Sequence, residues 1–291
     1  MTDASWLGPA IDVRPLFAPQ QAAFMDLLGQ LDPAEWARPT ICPGWDVKDI
    51  AAHVLGDHIG RLSRHRDGYP ALHPRADEPF EAFLDRVNDE WVTAARRMSP
   101  RVLSDQLAFA ADQIAAFWQT IDLKSIGNPV SWAGPEPAPS WLDAAREYSE
   151  YWTHHQQICD ATGRSGLTSA EYAGPVIDTF MRALPHTLRD VAAPEGTAVQ
   201  VSVTGPGGGA WTCKRGPDRW RLRREPLPQA TTRLVLDADT AWRLCTRGIT
   251  PERAAELARV EGDRQLAAAV LRIVSIVWSP PVSSPSSSSA R

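Results

Sequence analysis

The chain has 291 residues, of which 43% are hydrophobic and 22% charged, with a formal net charge of −5. That length holds one large domain or two ordinary ones with a substantial core, and the composition is that of a soluble globular protein. The acidic balance argues against a nucleic-acid partner, which shows as a basic face, and the most apolar run, Leu266 to Trp278, is too short for a membrane span and carries Arg272 in its middle.

The opening residues lack the charged and apolar regions of a secretory signal, so a cytoplasmic protein is expected. The four cysteines, Cys42, Cys159, Cys213 and Cys245, are scattered without a CxxC pair and read as reduced, mostly buried thiols.

The first two-thirds of the chain reads as helices. Ala18–Leu31 has apolar positions at helical spacing and stops before Asp32-Pro33. Trp45–Gly68 has Asp46 as N-cap and Gly68 past its end; Val47, Ile50, Ala51, Val54, Leu55, Ile59 and Leu62 form one stripe. Two further helices are predicted over Glu78–Ser99 and Pro100–Asp122. A fifth, Ser140–Gly163, has Ser140 as N-cap, Asp143 as its capping-box partner and Gly163 as C-cap. Ser169–Val191 should be broken or kinked near Pro175 and Pro185. Long amphipathic helices joined by loops imply a bundle.

The period changes after Pro194. Thr197–Gly205 alternates like a half-buried strand, and "PGGG" (Pro206–Gly209) makes a turn. Ala210–Gly216, Arg219–Pro226 and Thr231–Ala238 continue as strands. Short helices are predicted at Asp239–Cys245, capped by Asp239, and at Pro251–Ala258 and Asp263–Val277. The expected organisation is a helical domain over 10–192, a small α+β domain over 196–278 and a disordered Ser/Pro tail over 279–291.

Within "EYWTHHQQICD", Glu150 and His154 stand four apart, one helical turn on one face. Such a pair can present a carboxylate oxygen and an imidazole nitrogen to one ion, and a metal that does chemistry usually has three protein ligands. The second helix offers His53, beside the apolar stripe, with Asp57 one turn on and His58 next to it. Taken alone, a histidine near an apolar face is more often a hydrogen-bonded core residue, and a Glu/His pair a surface pair. Neighbours on a helix point about 100° apart, so His155 does not share an ion easily with His154. It reads as a donor behind the site or facing a substrate, or as solvated.

Trp36–His58, "WARPTICPGWDVKDIAAHVLGDH", followed by Glu147–Arg164, resembles the mycothiol-dependent maleylpyruvate isomerase family within the DinB-like metalloenzymes. A "GW" turn before an "AHV" segment and a later Glu-x-Trp-x-His segment carry the likeness. "GPGGGAW", "DTAWRLCTRG" and "EGDRQLAAAVL" extend it into the C-terminal part. The resemblance implies a DinB-like four-helix bundle followed by a small α+β domain similar to sterol carrier proteins. It implies His53, Glu150 and His154 as ligands of a divalent metal, most often zinc, with nickel, manganese or iron in relatives.

It further implies mycothiol as a thiol cosubstrate, a small electrophilic substrate, and an arginine of the second domain at the site, for which Arg243 and Arg247 are the candidates. Isomerisation follows if the thiol adds and leaves, transfer if it stays. A hydrolase or tailoring enzyme using metal-activated water, and a non-catalytic binding protein, are the alternatives. The expected assembly is a monomer or homodimer without nucleic-acid or membrane partner. The basic run Cys213–Glu225, with Arg219, Arg221 and Arg223 on one face and Trp220 and Leu222 on the other, reads as a solvated sheet face or a surface for an anionic group.

Overall fold

The computed structural model describes residues 4–277 apart from 71, 135–136, 225–226 and 228. The Ser/Pro tail expected over 279–291 lies outside the described residues.

After two short 3₁₀ turns, the chain forms α1 (Phe17–Gly29), α2 (Val47–Arg61), α3 (Phe80–Ala95), α4 (Pro100–Gln119), α5 (Ser140–Thr162), α6 (Ala170–Met181) and α7 (Leu184–Thr187). The helices α1, α2, α4 and α5 pack on one another, and α3 lies against α2. Phe17 stacks on Trp118 at 5.1 Å between ring centroids and meets Tyr148 and Tyr151 edge-on, joining α1, α4 and α5.

Asp46 caps α2 as the sequence indicates. Its side chain accepts from the Asp49 backbone N–H, and the Asp49 carboxylate accepts from the Asp46 backbone N–H. A five-residue π-turn, Leu62–Arg66, finishes this helix before Gly68, which adopts φ 67°. The predicted stripe is buried except for Ile59, which is 40% exposed.

Two capping expectations fail for one reason: a competing partner takes the side chain. At α5 the cap position is Pro139, and Ser140 Oγ pairs with Ser125 Oγ at 2.8 Å. Asp143 is drawn instead to Arg61 and Arg146. Gly163 does end the helix, in the left-handed conformation at φ 71°. Pro185 marks a real break, because α6 stops at Met181 and α7 restarts at Leu184; Pro175 is accommodated inside α6.

The remainder is a mixed sheet. The strands β1 (Ala198–Thr204), β2 (Gly209–Arg215), β3 (Trp220–Arg223), β4 (Thr232–Asp237) and β5 (Arg259–Gly262) lie in the order β3-β2-β1-β4-β5. β1 and β4 run parallel, with Val201 opposite Leu234, and the other pairs are antiparallel. Gly207, at φ 73° in the β1–β2 turn, approaches α6 so closely that a Cβ would lie 2.5 Å from the Gly174 nitrogen.

Three helices complete the chain: α8 (Ala238–Cys245), α9 (Pro251–Leu257) and α10 (Arg264–Val270). Asp237, not Asp239, caps α8, accepting from Thr240 N at 2.8 Å, while Asp239 holds Trp242 and Arg243. α10 ends at Val270 instead of Val277. β5 has no counterpart in the sequence reading, because its Arg-Val-Glu-Gly lies exposed at the sheet edge and alternates weakly.

The sheet docks on α6 through polar contacts. Trp211 Nε1 donates to Asp178 Oδ1 at 2.7 Å, and Asp178 pairs with the fully buried Arg182 at 2.9 Å. Trp152 of α5 meets Trp242 of α8 edge-on at 5.6 Å. Among the described residues no helix is long and apolar enough to cross a membrane.

Candidate metal centre

α2 and α5 face each other so that His53 meets Glu150 and His154. One donor atom from each of the three side chains lies within 4.8 Å of the other two. His154 Nε2 is 3.0 Å from Glu150 Oε1, and His53 Nε2 is 3.5 Å from the same oxygen. The two imidazole rings stand edge to face at 4.7 Å. Both histidines are buried, whereas 30% of the Glu150 side chain is exposed, so the cluster opens toward solvent at the carboxylate.

The "CPGW" turn closes one side. Gly44 adopts φ 79°, Trp45 N donates to Cys42 O, and Thr40 N donates to Trp45 O. This sets the Trp45 ring 5.2 Å from that of His53. Behind His154, Gln157 Oε1 lies 2.8 Å from Nδ1 and also accepts from the Cys42 thiol at 3.5 Å. An amide oxygen can only accept, so Nδ1 carries a proton, and Nε2, which faces Glu150 at 3.0 Å, is the nitrogen that a metal would take in exchange for its proton. A neutral imidazole with its far nitrogen so anchored is the form that ligates a metal.

The charges fit this arrangement. Burial pushes the Glu150 carboxyl up, but the His154 charge and the hydrogen bonds from both histidines outweigh it and hold the group well below its ordinary value. Burial lowers His53 despite the Glu150 hydrogen bond, while Glu150 overcomes burial to raise His154. Burial and the Glu150 charge push the Cys42 thiol up to about 11.

The other candidates are elsewhere. His155 turns into the core, 4% exposed, with its ring 6.0 Å from Phe24 of α1. Burial holds it neutral, down to about 4. It is not solvated, and it packs away from the triad because a neighbour on α5 points about 100° aside. Arg247, at φ 61°, donates to the Arg272 carbonyl within its own domain.

Arg243 does cross to α5, but it reaches Asp160 at 2.6 Å, pairs with Asp239 and lies over Trp242 at 4.4 Å. Asp160 projects roughly 120° around the helix from His154. In this structure both arginines therefore have structural partners, and Arg243 joins the sheet part of the chain to α5.

Sequence reasoning passed over a second polar cluster on the same two helices. Arg61 donates to both oxygens of Asp143 at 3.0 and 3.1 Å and to Glu147, and Arg146 closes on the same two acids. Burial raises Asp143, yet Arg61 and Arg146 win and bring it to about 2. For Glu147 burial wins, aided by the nearby Asp57 carboxyl, and raises it to about 7. The available signal was spacing: Asp57 and Arg61 follow His53 at four-residue steps, and Asp143 and Glu147 precede Glu150 by about two turns and one turn.

Residues 17–159 match the family described as the mycothiol maleylpyruvate isomerase N-terminal domain. Among solved structures, the chain is similar to a histidine-to-alanine mutant of the mycothiol-dependent maleylpyruvate isomerase. The identity is 12%, with 85% of this chain and 91% of that one covered and a TM-score of 0.51. It is also similar to a second structure of the mycothiol-dependent maleylpyruvate isomerase, at 13% identity, with 79% and 86% covered and a TM-score of 0.48. The first of these likenesses establishes a shared fold, helices followed by a mixed sheet. No curated protein sequence matches the chain.

Proposed function

The chain belongs, through residues 17–159, to the mycothiol maleylpyruvate isomerase family, and from that premise we propose that it is a mycothiol-using enzyme whose thiol chemistry takes place at His53, Glu150 and His154. The observation that carries the reading is the convergence of two imidazole nitrogens and one carboxylate oxygen within 4.8 Å. The donor chemistry fits a divalent cation: two histidines and one carboxylate form a set that leaves room for a further ligand. The anchored tautomer of His154 and the solvent-facing edge of Glu150 support it. We read the metal as zinc.

When bound, such an ion would favour the thiolate form of a thiol at neutral pH. The chain's own residues do the rest. His53, Glu150 and His154 would hold the ion, Gln157 keeps Nδ1 of His154 protonated, and Trp45 screens the His53 side from water. The thiol sulfur then adds to the conjugated double bond of a small electrophile. The carbon–carbon bond becomes single and rotates, and expulsion of the thiol restores the isomerised alkene; a thiol that stays gives transfer. Arg243 serves as a positioning residue, holding the second domain against the helix of Glu150 and His154.

The four packed helices α1, α2, α4 and α5 support a DinB-like bundle over 10–192, and the mixed sheet with its helices a sterol-carrier-like domain over 196–278. We place the enzyme in the cytoplasm, where such a thiol is kept reduced.

Calorimetry tests the thiol reading. Mycothiol titrated into zinc-loaded protein is expected to bind, and binding should vanish in the metal-free protein. No heat at millimolar thiol would exclude mycothiol as cosubstrate and turn the assignment to a hydrolase using water at the same three residues.

A further inference from the structure

The seam between α2 and α5 is ionisable along its length. Read from the metal cluster outward, His53 faces Glu150 and His154, Asp57 stands near Glu147 and Tyr151, and Arg61 faces Asp143 and Glu147. The two helices run in opposite directions, so each step of one turn along α2 meets one turn back along α5. Apolar side chains can slide past one another by fractions of a turn at small cost. A planar guanidinium that grips a carboxylate and a second acidic side chain cannot, because its donors are fixed in a fork.

Arg61 is 6% exposed and donates through Nη1 and Nη2 to the two oxygens of Asp143, with Nη2 also reaching Glu147. Its guanidinium lies over the Trp118 ring at 5.1 Å, which fixes its plane from the α4 side. On α5, Asp143 is held independently. Arg146 donates to it at 3.2 Å and the Asn128 backbone N–H at 3.0 Å. A Cβ at Gly127 would stand 2.8 Å from the Asp143 Cβ, so the loop leaves the aspartate little room to follow a shifted partner.

We propose that Arg61 is a positioning residue for the metal centre. Its clamp on Asp143 and Glu147 sets the register of α2 against α5, and that register brings His53 to Glu150 and His154, two turns away. The role rests on the metal reading given above. A salt bridge buried this deeply costs desolvation, and an apolar layer would often serve stability as well or better. Register is what an apolar layer would not supply.

Arg61→Lys tests this, because lysine keeps the charge and loses the fork. Arg96→Lys is the control: Arg96 also grips a carboxylate of α2, Asp49, at 2.8 and 3.0 Å, but from the end of α3 and not from α5. Zinc affinity is read by competition with a chromophoric chelator. Register is read without metal, as the nuclear Overhauser contact between the His53 and His154 rings in histidine-labelled protein.

The expected result is that Arg61→Lys folds, weakens zinc by on the order of 10–100-fold and loses the ring contact, while Arg96→Lys changes neither. Unchanged zinc affinity and ring contact in Arg61→Lys would overturn the role and leave the metal reading standing. Wild-type protein that binds no zinc would overturn both. If Arg61→Lys does not fold, Asp143→Glu decides, since it keeps every charge and displaces the clamp by one methylene. Weakened zinc and a lost ring contact support the role, and wild-type values for both reject it.

Discussion

Glu147→Gln should abolish the pH dependence of stability that this buried acid imposes. Glu147 is 1% exposed, and burial together with the neighbouring Asp57 raises it from 4.5 to about 7 against the pull of Arg146 and Arg61. The folded protein thus keeps a proton on Glu147 up to about pH 7, whereas the unfolded chain releases it near its ordinary value. Between those limits the folded state binds more protons, so stability falls as pH rises through the window.

At about 1.4 kcal/mol per pH unit, a window of roughly 2.5 units amounts to on the order of 3 kcal/mol. For a chain of this size that is a melting-temperature change of roughly 6 °C. Glutamine resembles the protonated acid and has no proton to lose. Melting curves of metal-free wild type and Glu147→Gln, taken from pH 4.5 to 8, should start close together and diverge in favour of the variant by about that amount. A gap that stays constant, or that moves in favour of wild type, would show Glu147 ionised throughout as the partner of Arg61 and Arg146, and would refute the reasoning.

Three further outcomes are expected. Gln157→Leu removes the acceptor that fixes the His154 tautomer and should weaken zinc binding by about 10–100-fold with little change in melting temperature, measured by chelator competition. Trp152→Ala empties a fully buried position at the seam with Trp242 and should cost about 3–5 kcal/mol, read by scanning calorimetry. Asp46→Ala removes one half of the capping box that opens the helix of His53 and should cost about 1 kcal/mol in urea unfolding, with zinc affinity reduced no more than a few-fold.

Much of the helical part was legible because its signals are local. The period of the apolar stripe, the Asp46 cap and the Gly163 stop depend on residues within a turn or two of each other. Cys159, Cys213 and Cys245 are buried and free, as their scatter suggests. The errors arise where a distant partner takes a side chain. Asp143 reads as a capping residue but is taken by Arg61, which lies on another helix.

Asp239 reads as a cap, yet Asp237 stands at the end of β4, where the chain enters α8, and its carboxylate meets the Thr240 N–H first. β5 has no apolar alternation, because a strand exposed at an edge buries little; it exists through pairing with β4. At the site, the spacing of Glu150 and His154 was visible within one helix. The Gln157 anchor is also a contact within α5, three residues on from His154, whereas the arrival of His53 and the Arg61 layer needed the packing of α2 on α5. Arg243 and Arg247 show the limit of resemblance: a candidate residue was named, but its direction depends on which face of α5 the second domain covers.

The central claim is that His53, Glu150 and His154 hold one divalent ion. Elemental analysis of the protein purified without chelator, set beside His53→Ala and His154→Ala purified identically, tests it most directly. The account predicts close to one equivalent of metal in wild type and little or none in either variant, with all three proteins folded by circular dichroism. Equal metal content in wild type and both folded variants would contradict it.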